Sequence, residues 1–288
     1  MRVPYVVEVN GSTDDALLAH PRLAPLASVL RGLAQLQLGG ASGLIAVTPG
    51  LEIWAREVAG RPVPSTWLPN GAELRLQSRR AKPDTPPYAV FVGKLAPWQG
   101  IVQLLEAAAH GDWPQELRLV IVGDGAHAEL VAKNAATLSH VEYRGAQSRK
   151  DAQDILSRAV MSISTQSVSL ARNKRGVSPL KVAESLMLGV PVVVSSVNVS
   201  AQDISAAHVG SLVTRDEPQQ LAAAVKDLWA MVNRQPSVRD RAAKLAVDKL
   251  SWEEIGRKTY MFMTSVVPSL APESGHSRSV GPYDQEHP

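Results

Sequence analysis

The amino-acid sequence predicts an α/β protein with doubly wound parallel sheets. Short apolar runs of strand length alternate along the chain with amphipathic stretches of helix length. The runs are almost continuous in Val, Ile and Leu, as expected of parallel strands that are covered on both faces. Connections that contain a helix predict right-handed crossovers between these strands.

The alternation begins in the first 76 residues, which we interpret as one domain. Its elements are predicted at residues 5–9 (strand), 23–38 (helix), 43–48 (buried strand) and 49–58 (helix). Pro49 suits the first turn of its helix, where its missing N–H group has no intrahelical acceptor to lose. Residues 66–68 lead into Pro-Asn-Gly at 69–71, a turn signal. The polar, proline-rich residues 77–87 are predicted to be an interdomain linker.

A second and more regular alternation predicts a domain over residues 88–250. Its strands are predicted at residues 88–92, 117–122, 141–143, 161–164 and 191–195. Its helices are predicted at residues 100–109, from about 126, 151–159, 179–188 and 219–232.

A last helix is predicted from Trp252 to about Met263, within a C-terminal segment 251–267. Ser251 suits the N-cap, and Glu254 completes the sequence pattern of a capping box. Residues 268–288 are rich in Pro, Ser and Gly, so we predict a disordered tail.

Composition narrows the class of protein. Of the 288 residues, 45% are apolar and 20% charged, the balance of a globular protein with a real core. The formal charge of +3 suits anionic ligands such as nucleotide phosphates but is too small to indicate nucleic acid. The absence of cysteine excludes disulfides and thiolate chemistry.

The same composition bears on location and origin. No apolar run is long enough to span a bilayer, and the first residues do not form a signal peptide. We therefore expect a cytoplasmic protein and leave peripheral membrane contact open. Plentiful Ala and Arg with scarce Lys suggest a GC-rich bacterial genome.

Three segments in order carry a family resemblance: Gly93-Lys94, the Gly-Asp-Gly sequence 123–125, and Gly-Val-Pro-Val-Val at 189–193 after a helix that contains Glu184. Together they resemble the C-terminal domain of glycosyltransferase family 4, the group 1 enzymes. The resemblance runs from about residue 88 to the last helix. Leu-Ile-Ala-Val-Thr at 44–48 and Leu-Pro-Asn-Gly at 68–71 also resemble the end of the family's N-terminal domain.

The resemblance implies a GT-B fold with a Rossmann-like nucleotide-sugar domain after a partial N-terminal, acceptor-side Rossmann-like domain. It implies retaining transfer of a hexose from a UDP-, GDP- or ADP-sugar to a sugar, lipid or polysaccharide acceptor, in cell-surface polysaccharide synthesis. It implies no cofactor and no metal. The seven histidines show no ligand spacing, which agrees with that expectation.

A predicted helix start at Ser178-Pro179-Leu180-Lys181 is the first candidate donor site. Free backbone N–H groups and the positive end of the helix dipole form an anion site there, and Lys181 adds a charge. The alternative is a plain helix start with a surface lysine.

Glu184 lies in the same helix, and the resemblance implies that its carboxylate accepts hydrogen bonds from the donor's ribose hydroxyls. The alternative is an exposed helical glutamate. Gly93 and Lys94 end a predicted strand, where a basic side chain can reach a diphosphate, and the alternative is a solvated loop lysine. Lys94, Lys181 and Glu184 form the predicted catalytic set. Gln99 stands where the family usually has a second lysine.

Gly123 and Gly145 follow two further predicted strands. Gly123 is a candidate for a donor contact, and it is equally well explained as a residue that allows a tight turn. Gly145 is a further candidate, because Gly-Ala-Gln at 145–147 resembles the segment whose backbone faces the nucleobase in the family. The family often uses a histidine or aspartate from the N-terminal domain near the sugar. We match none here, although Glu8 and Asn10 lie nearby in the pattern.

The sequence departs from the family pattern at Gly176, where the first glutamate of the E-x7-E motif is expected. The loop before it carries Arg172, Lys174 and Arg175 instead. Either the sugar is held by backbone groups and Ser178, or activity is reduced. The basic run is otherwise explained as a solvated loop.

The segment before the predicted linker is also short for a family domain of roughly 150–200 residues. We expect about 100 N-terminal residues to be missing, and an incomplete sheet with exposed edges. These departures motivate a second hypothesis, a noncatalytic nucleotide-sugar-binding or partner subunit. A third, sugar-nucleotide epimerisation, requires inward carboxylates that the sequence does not offer.

Overall fold

The computed structural model of the chain describes residues 3–270, in which two parallel β-sheets are each packed against helices. The first sheet has the order β1-β2-β3. Its strands are β1 (Val6–Val9), β2 (Gly43–Ala46) and β3 (Ser65–Trp67). The helices around it are α1 (Thr13–Ala19), α2 (Ala27–Gly40) and α3 (Pro49–Ala59), with a 3-10 helix at Pro21–Leu26.

The second sheet has six parallel strands in the order β6-β5-β4-β7-β8-β9. These strands are β4 (Tyr88–Val92), β5 (Arg118–Val122), β6 (Val141–Tyr143), β7 (Met161–Ser164), β8 (Val192–Ser195) and β9 (Gly210–Val213). The helices are α4 (Ile101–Ala108), α5 (Ala128–Thr137), α6 (Arg149–Ser157), α7 (Leu180–Met187), α8 (Ala201–Ala206), α9 (Pro218–Arg234), α10 (Val238–Leu250) and α11 (Trp252–Val266). The predicted α/β class with parallel, doubly wound sheets is confirmed.

The strand order of this sheet reverses between β4 and β7, so the loops that follow these two strands leave on opposite faces. A crevice therefore opens at their carboxyl ends, the place where open α/β sheets bind ligands. Side chains alternate between the two faces: Ala89 and Phe91 of β4 lie in one core, and Tyr88 and Val90 lie in the other. Burial on both faces explains why the strands are apolar throughout.

Three elements of the second domain were not predicted: α8, β9 and α10. Helix α10 is rich in charge, and alanines such as Ala242 and Ala246 make up half of the residues that it buries. Alanine gives a weak hydrophobic signal, so the helical period is hard to see. In the first domain α1 was also missed, and the predicted helix 23–38 begins as a 3-10 helix, with Pro25 inside it, before α2 starts at Ala27.

The segment predicted as a linker, residues 77–87, lies against the second domain. Arg79 donates to Gln153 Oε1 at 2.8 Å, and Arg80 donates to Asp240 Oδ1 at 2.6 Å. Just before the segment, Leu76 is buried in the same core as Tyr88. These contacts attach the segment to the second domain.

Helix α11 crosses back to the first domain. Its Phe262 and Val266 lie against Gly43 of β2, and its Ile255 lies against Gly71. Ser251 caps the helix by accepting from the backbone N–H of Glu254 at 3.2 Å. The predicted capping box is only half formed, because the Glu254 carboxylate pairs with cationic side chains one turn further along α11.

No helix within residues 3–270 has the length and apolar character needed to cross a bilayer. Of the predicted tail, residues 268–270 form a 3-10 turn, and residues 271–288 lie outside the described part of the chain.

The loops after β4 and β5 approach each other more closely than any side chain allows. Gly123 has φ +143°, and a Cβ atom there would overlap the carbonyl oxygen of Gly93. We expect Gly123→Ala to lower the free energy of unfolding by roughly 2–4 kcal/mol, measured by urea denaturation. Gly256→Ala is the matched control, because it lies within α11 with open space around the added Cβ, and it should stabilise by about 0.5–1 kcal/mol. Equal effects of the two substitutions would contradict this packing.

Candidate functional site

A cleft of about 220 Å³ lies between the carboxyl ends of the two sheets. From the first domain it is lined by Asn10 after β1, Thr48 after β2 and Asn70 after β3. From the second domain it is lined by Gln99 after β4 and by the loop 166–179 between β7 and α7. Both domains therefore turn the ends of their strands towards one space.

Hydrogen bonds between the domains fix the loop that precedes α7. Thr48 Oγ1 donates to the Arg175 carbonyl oxygen at 2.7 Å. The Asn70 backbone N–H donates to Ser178 Oγ at 2.7 Å, and its side-chain amide donates to the Ser178 carbonyl oxygen at 2.6 Å. Of the predicted donor-binding residues, Ser178 is thus engaged by the first domain.

Helix α7 begins at the cleft. Pro179 is its N-cap residue, and the first intrahelical bond runs from the Val182 N–H to the Pro179 carbonyl oxygen at 3.1 Å. The N–H groups of Leu180 and Lys181 precede that bond, so they are available to an anion.

The ammonium group of Lys181 is enclosed at the crevice between β4 and β7. It donates to Gln99 Oε1 at 2.9 Å and lies 3.9 Å from the centroid of the Phe91 ring, next to Gly93. The side chain as a whole is only half-buried, whereas its charged end is surrounded by protein atoms. Burial lowers the pKa of Lys181 to about 7, because the charged form loses solvation.

The second predicted cation, Lys94, is placed differently. Its side chain is exposed and forms no hydrogen bond or ion pair with any residue between 3 and 270. Of the two lysines, only Lys181 is enclosed in the crevice.

Gly93, Gly123 and Gly145 come together at the carboxyl ends of β4, β5 and β6. The Gly93 N–H donates to the Val122 carbonyl oxygen at 3.0 Å, and the Gly123 N–H donates to the Gly145 carbonyl oxygen at 2.8 Å. All three have positive φ angles. At Gly145 an added Cβ would meet no atom within 4 Å, so its backbone faces open space.

Glu184 lies one turn into α7 and faces α6. Its Oε1 atom is 3.5 Å from Gln153 Nε2 and 3.6 Å from Arg149 Nη2. Arg149 is the first residue of α6, which follows the Gly145 loop. The structure therefore brings Glu184 near the loop after β6.

Gly176 has φ +86°, and a Cβ atom there would lie 3.3 Å from Thr48 Cβ and from Val199 Cγ1. The loop conformation itself thus disfavours a side chain where the family pattern has its first glutamate. The preceding 3-10 helix, Ala171–Arg175, presents Arg172 and Arg175 to the cleft, whereas Lys174 is exposed and not part of the cleft lining.

Sequence reasoning missed Asp15. Its Oδ2 atom accepts from the Ser12 N–H at 3.1 Å and from Ser12 Oγ at 2.7 Å. Its Oδ1 atom is buried at the cleft without a hydrogen-bond partner in the described residues. The Ser-x-x-Asp spacing at 12–15 indicates a capping box, but nothing in the sequence shows that its carboxylate faces another domain. Asn10 lines the cleft, whereas Glu8 does not.

The chain matches a known family model. The group 1 glycosyl transferase model matches residues 74–245. Because this region is more than half of the chain, the protein belongs to that family. No curated protein shows significant sequence similarity to the chain.

Solved structures share the fold. HepE from Anabaena, in complex with UDP, superposes with a TM-score of 0.70 at 17% identity, covering 91% of this chain and 72% of that one. Sucrose-phosphate synthase from Thermosynechococcus elongatus superposes with a TM-score of 0.71 at 15% identity, covering 93% of this chain and 69% of that one. WaaG, a glycosyltransferase involved in lipopolysaccharide biosynthesis, superposes with a TM-score of 0.59 at 14% identity, covering 76% of this chain and 62% of that one. The predicted GT-B fold is confirmed.

Thr48 joins the two domains and caps α3, because its Oγ1 atom also accepts from the Leu51 N–H at 3.1 Å. We expect Thr48→Val, which keeps the shape and removes the hydroxyl, to lower the free energy of unfolding by about 1–3 kcal/mol in urea denaturation. Thr48→Ser keeps the hydroxyl and should lower the free energy of unfolding by clearly less than Thr48→Val does. Similar losses for both variants would show that the hydroxyl does not link the domains.

Proposed function

We propose that this group 1 glycosyl transferase moves a hexose from a nucleoside-diphosphate sugar to an acceptor held in the cleft, with retention of the anomeric configuration. The observation that carries the proposal is the enclosed Lys181 ammonium group, which lies beside Gly93 and near the start of α7. A cation and free N–H groups suit a diphosphate when they lie at the switch point of a Rossmann-like sheet, which is the place where its strand order reverses. The fold and the family support transfer from a nucleotide sugar.

In the proposed reaction the bond between the sugar's anomeric carbon and the diphosphate oxygen breaks, and the diphosphate leaves with the electron pair. The acceptor hydroxyl attacks the oxocarbenium-like sugar from the same face, and its proton passes to the leaving diphosphate. The chain's main contribution is to stabilise the charge that develops on that diphosphate, through Lys181 and the amides of Leu180 and Lys181. Exposed Lys94 supplies a second positive charge at the edge of the site. We propose that no metal or cofactor is needed.

The nucleoside is proposed to lie along the loops after β5 and β6. Glu184 would accept hydrogen bonds from the ribose hydroxyls, and the Gly123 and Gly145 backbones would face the nucleotide. UDP, GDP and ADP sugars all suit this arrangement. UDP is the first to test, because HepE structures contain UDP and UDP-glucose.

The acceptor is proposed to enter from the first domain. Asp15 Oδ1, buried and without a partner in the described residues, can accept a hydrogen bond from a hydroxyl, and Asn10 lines the same side. A sugar, lipid or polysaccharide acceptor could offer a hydroxyl group to these polar side chains. Since WaaG acts in lipopolysaccharide biosynthesis, we propose a role in cell-surface polysaccharide synthesis in a bacterial cytoplasm, with peripheral membrane contact where the acceptor is a lipid.

The second candidate function is a noncatalytic nucleotide-sugar-binding or partner subunit. It is favoured by Gln99, a neutral side chain beside Lys181, and by the Gly176 backbone, which leaves no carboxylate at the family's first glutamate position.

Turnover distinguishes the two functions. We expect the purified chain to release UDP and form a glycoside when it is given UDP-glucose and a panel of sugar and lipid acceptors. A coupled assay measures the UDP that is released, and mass spectrometry detects the glycoside. Glu184→Ala should weaken UDP-glucose affinity by about 1–3 kcal/mol, the range of a lost charge-assisted hydrogen bond. Glu253→Ala, an exposed glutamate in the first turn of α11, is the control and should leave the affinity unchanged. Binding of UDP-glucose without release of UDP in the presence of any acceptor favours the noncatalytic function.

Lys181 should make donor binding depend on pH. Its pKa of about 7 in the free protein leaves the side chain largely neutral above pH 7, and a bound diphosphate favours the protonated form. UDP-glucose affinity should therefore be roughly tenfold weaker at pH 8 than at pH 6.5, because the diphosphate of UDP-glucose does not itself titrate in this range.

Binding near pH 7.5 should also take up protons, which calorimetry in buffers of different ionisation enthalpy measures. Lys181→Met should abolish this uptake, and Lys94→Met should keep it because Lys181 is retained. Proton uptake that survives Lys181→Met would refute the assignment.

A further inference from the structure

The residues that line the cleft carry more positive than negative charge. Of the described residues that line it, Arg172 and Arg175 are basic and Asp15 is acidic. Both arginines come from the 3-10 helix Ala171–Arg175 on the β7–α7 loop, and Asp15 lines the cleft from the first domain.

Arg172 is held in place by an aromatic ring. Its guanidinium carbon lies 4.3 Å from the centroid of the Trp98 ring, which also lines the cleft. Within residues 3–270, no carboxylate lies within 4 Å of its guanidinium nitrogens. Because the ring covers only a face of the guanidinium plane, the N–H groups at its edge remain available to a ligand.

Arg175 stands beside Arg172 but is partly engaged. Its Nη2 atom lies 3.5 Å from Asp14 Oδ2, and its carbonyl oxygen accepts from Thr48. The Asp14 contact is long and half-exposed, so it neutralises little of the charge of Arg175. Arg175 is therefore a second, weaker contributor to the positive potential of the cleft.

The loop that carries these arginines is ordered from inside the protein. Asn173 is buried, and its Nδ2 atom donates to the Ser167 carbonyl oxygen at 2.8 Å. Asp216 accepts from Ser167 Oγ at 2.6 Å and from the N–H groups of Val168 and Ser169. Burial opposes the charge of Asp216, but these hydrogen bonds outweigh it and lower its pKa. A freely solvated basic loop would not be held in this way, so the arginines are preorganised.

The donor's diphosphate does not need these arginines. Gln99 separates the two regions, because its amide oxygen accepts from Lys181 while its side chain also lines the cleft. In the proposed function the diphosphate lies at Lys181, and the space near Trp98 and Arg172 is left for the sugars. An anion at Arg172 would thus be carried by a sugar.

We propose that the cleft selects an acidic sugar, one that bears a carboxylate or a phosphate, by pairing that group with Arg172 and with Arg175 beside it. The inference rests on the proposed function, since it names the substrate class of the same site. The acidic group belongs to the transferred sugar or to the acceptor, and the two sources give different results in binding experiments.

The first experiment compares donors by calorimetry. If the transferred sugar is acidic, the wild-type chain should bind UDP-glucuronate roughly tenfold more tightly than UDP-glucose, the effect of one charge-assisted pair. Arg172→Met should reduce this ratio to near one, and Arg172→Lys should retain part of it. Lys174→Met removes a charge from the same loop outside the cleft, and it should keep the wild-type ratio. Because the readout is a ratio of affinities in one variant, a loss of folded protein does not alter it.

The second experiment compares acceptors with UDP held at saturation. If the acceptor is acidic, glucuronate or glucose 6-phosphate should bind the UDP complex roughly tenfold more tightly than glucose, and again Arg172→Met should remove the preference. A preference in either experiment that is lost in Arg172→Met and kept in Lys174→Met supports the inference. No preference in either experiment, with UDP still bound, overturns the inference and leaves the proposed function standing. A chain that ignores UDP, GDP and ADP overturns both.

Discussion

The ammonium group of Lys181 lies where the carboxyl ends of β4 and β7 diverge, between the Phe91 ring and the amide of Gln99. A lysine enclosed in this way is costly unless an anion completes its surroundings, because the charged form loses solvation. The close approach of the loops after β4 and β5, which only glycine permits at residue 123, builds the wall beside it. The tight turns and the order of the parallel strands thus together form the surroundings of the Lys181 ammonium group.

A second constraint is the contact between domains. Thr48 and Asn70, each just beyond a strand of the first sheet, hold the backbone of Arg175 and Ser178. Helix α11 returns to pack on β2 and completes the connection from the other side. The loop before α7 is therefore positioned by both domains, and so are the arginines that it carries.

The backbone conformation of the loop before α7 accounts for the departure from the family pattern at Gly176. Gly176 adopts a backbone conformation that disfavours a side chain, and it packs against Thr48. A glutamate at this position would therefore also require a change in the conformation of the loop. With that carboxylate absent, Arg172 and Arg175 leave the cleft with a positive wall. The proposed acidic sugar would pair with this wall, which the hydrogen bonds of Asn173 and Asp216 hold in place.

The sequence by itself determined the fold class and most strand positions of the second domain, including β4, β6 and β7 to the residue. Strands covered on both faces are apolar throughout, and helix starts at proline and serine carry local signals, so neighbouring residues suffice to find them. It missed α10, because half of the residues that this helix buries are alanine. Only the tertiary structure decided that Lys181 is enclosed while Lys94 is exposed, that Ser178 is held by Asn70, and that Arg172 lies over Trp98. Each of these facts depends on packing between residues more than seventy positions apart, where local sequence patterns carry no information.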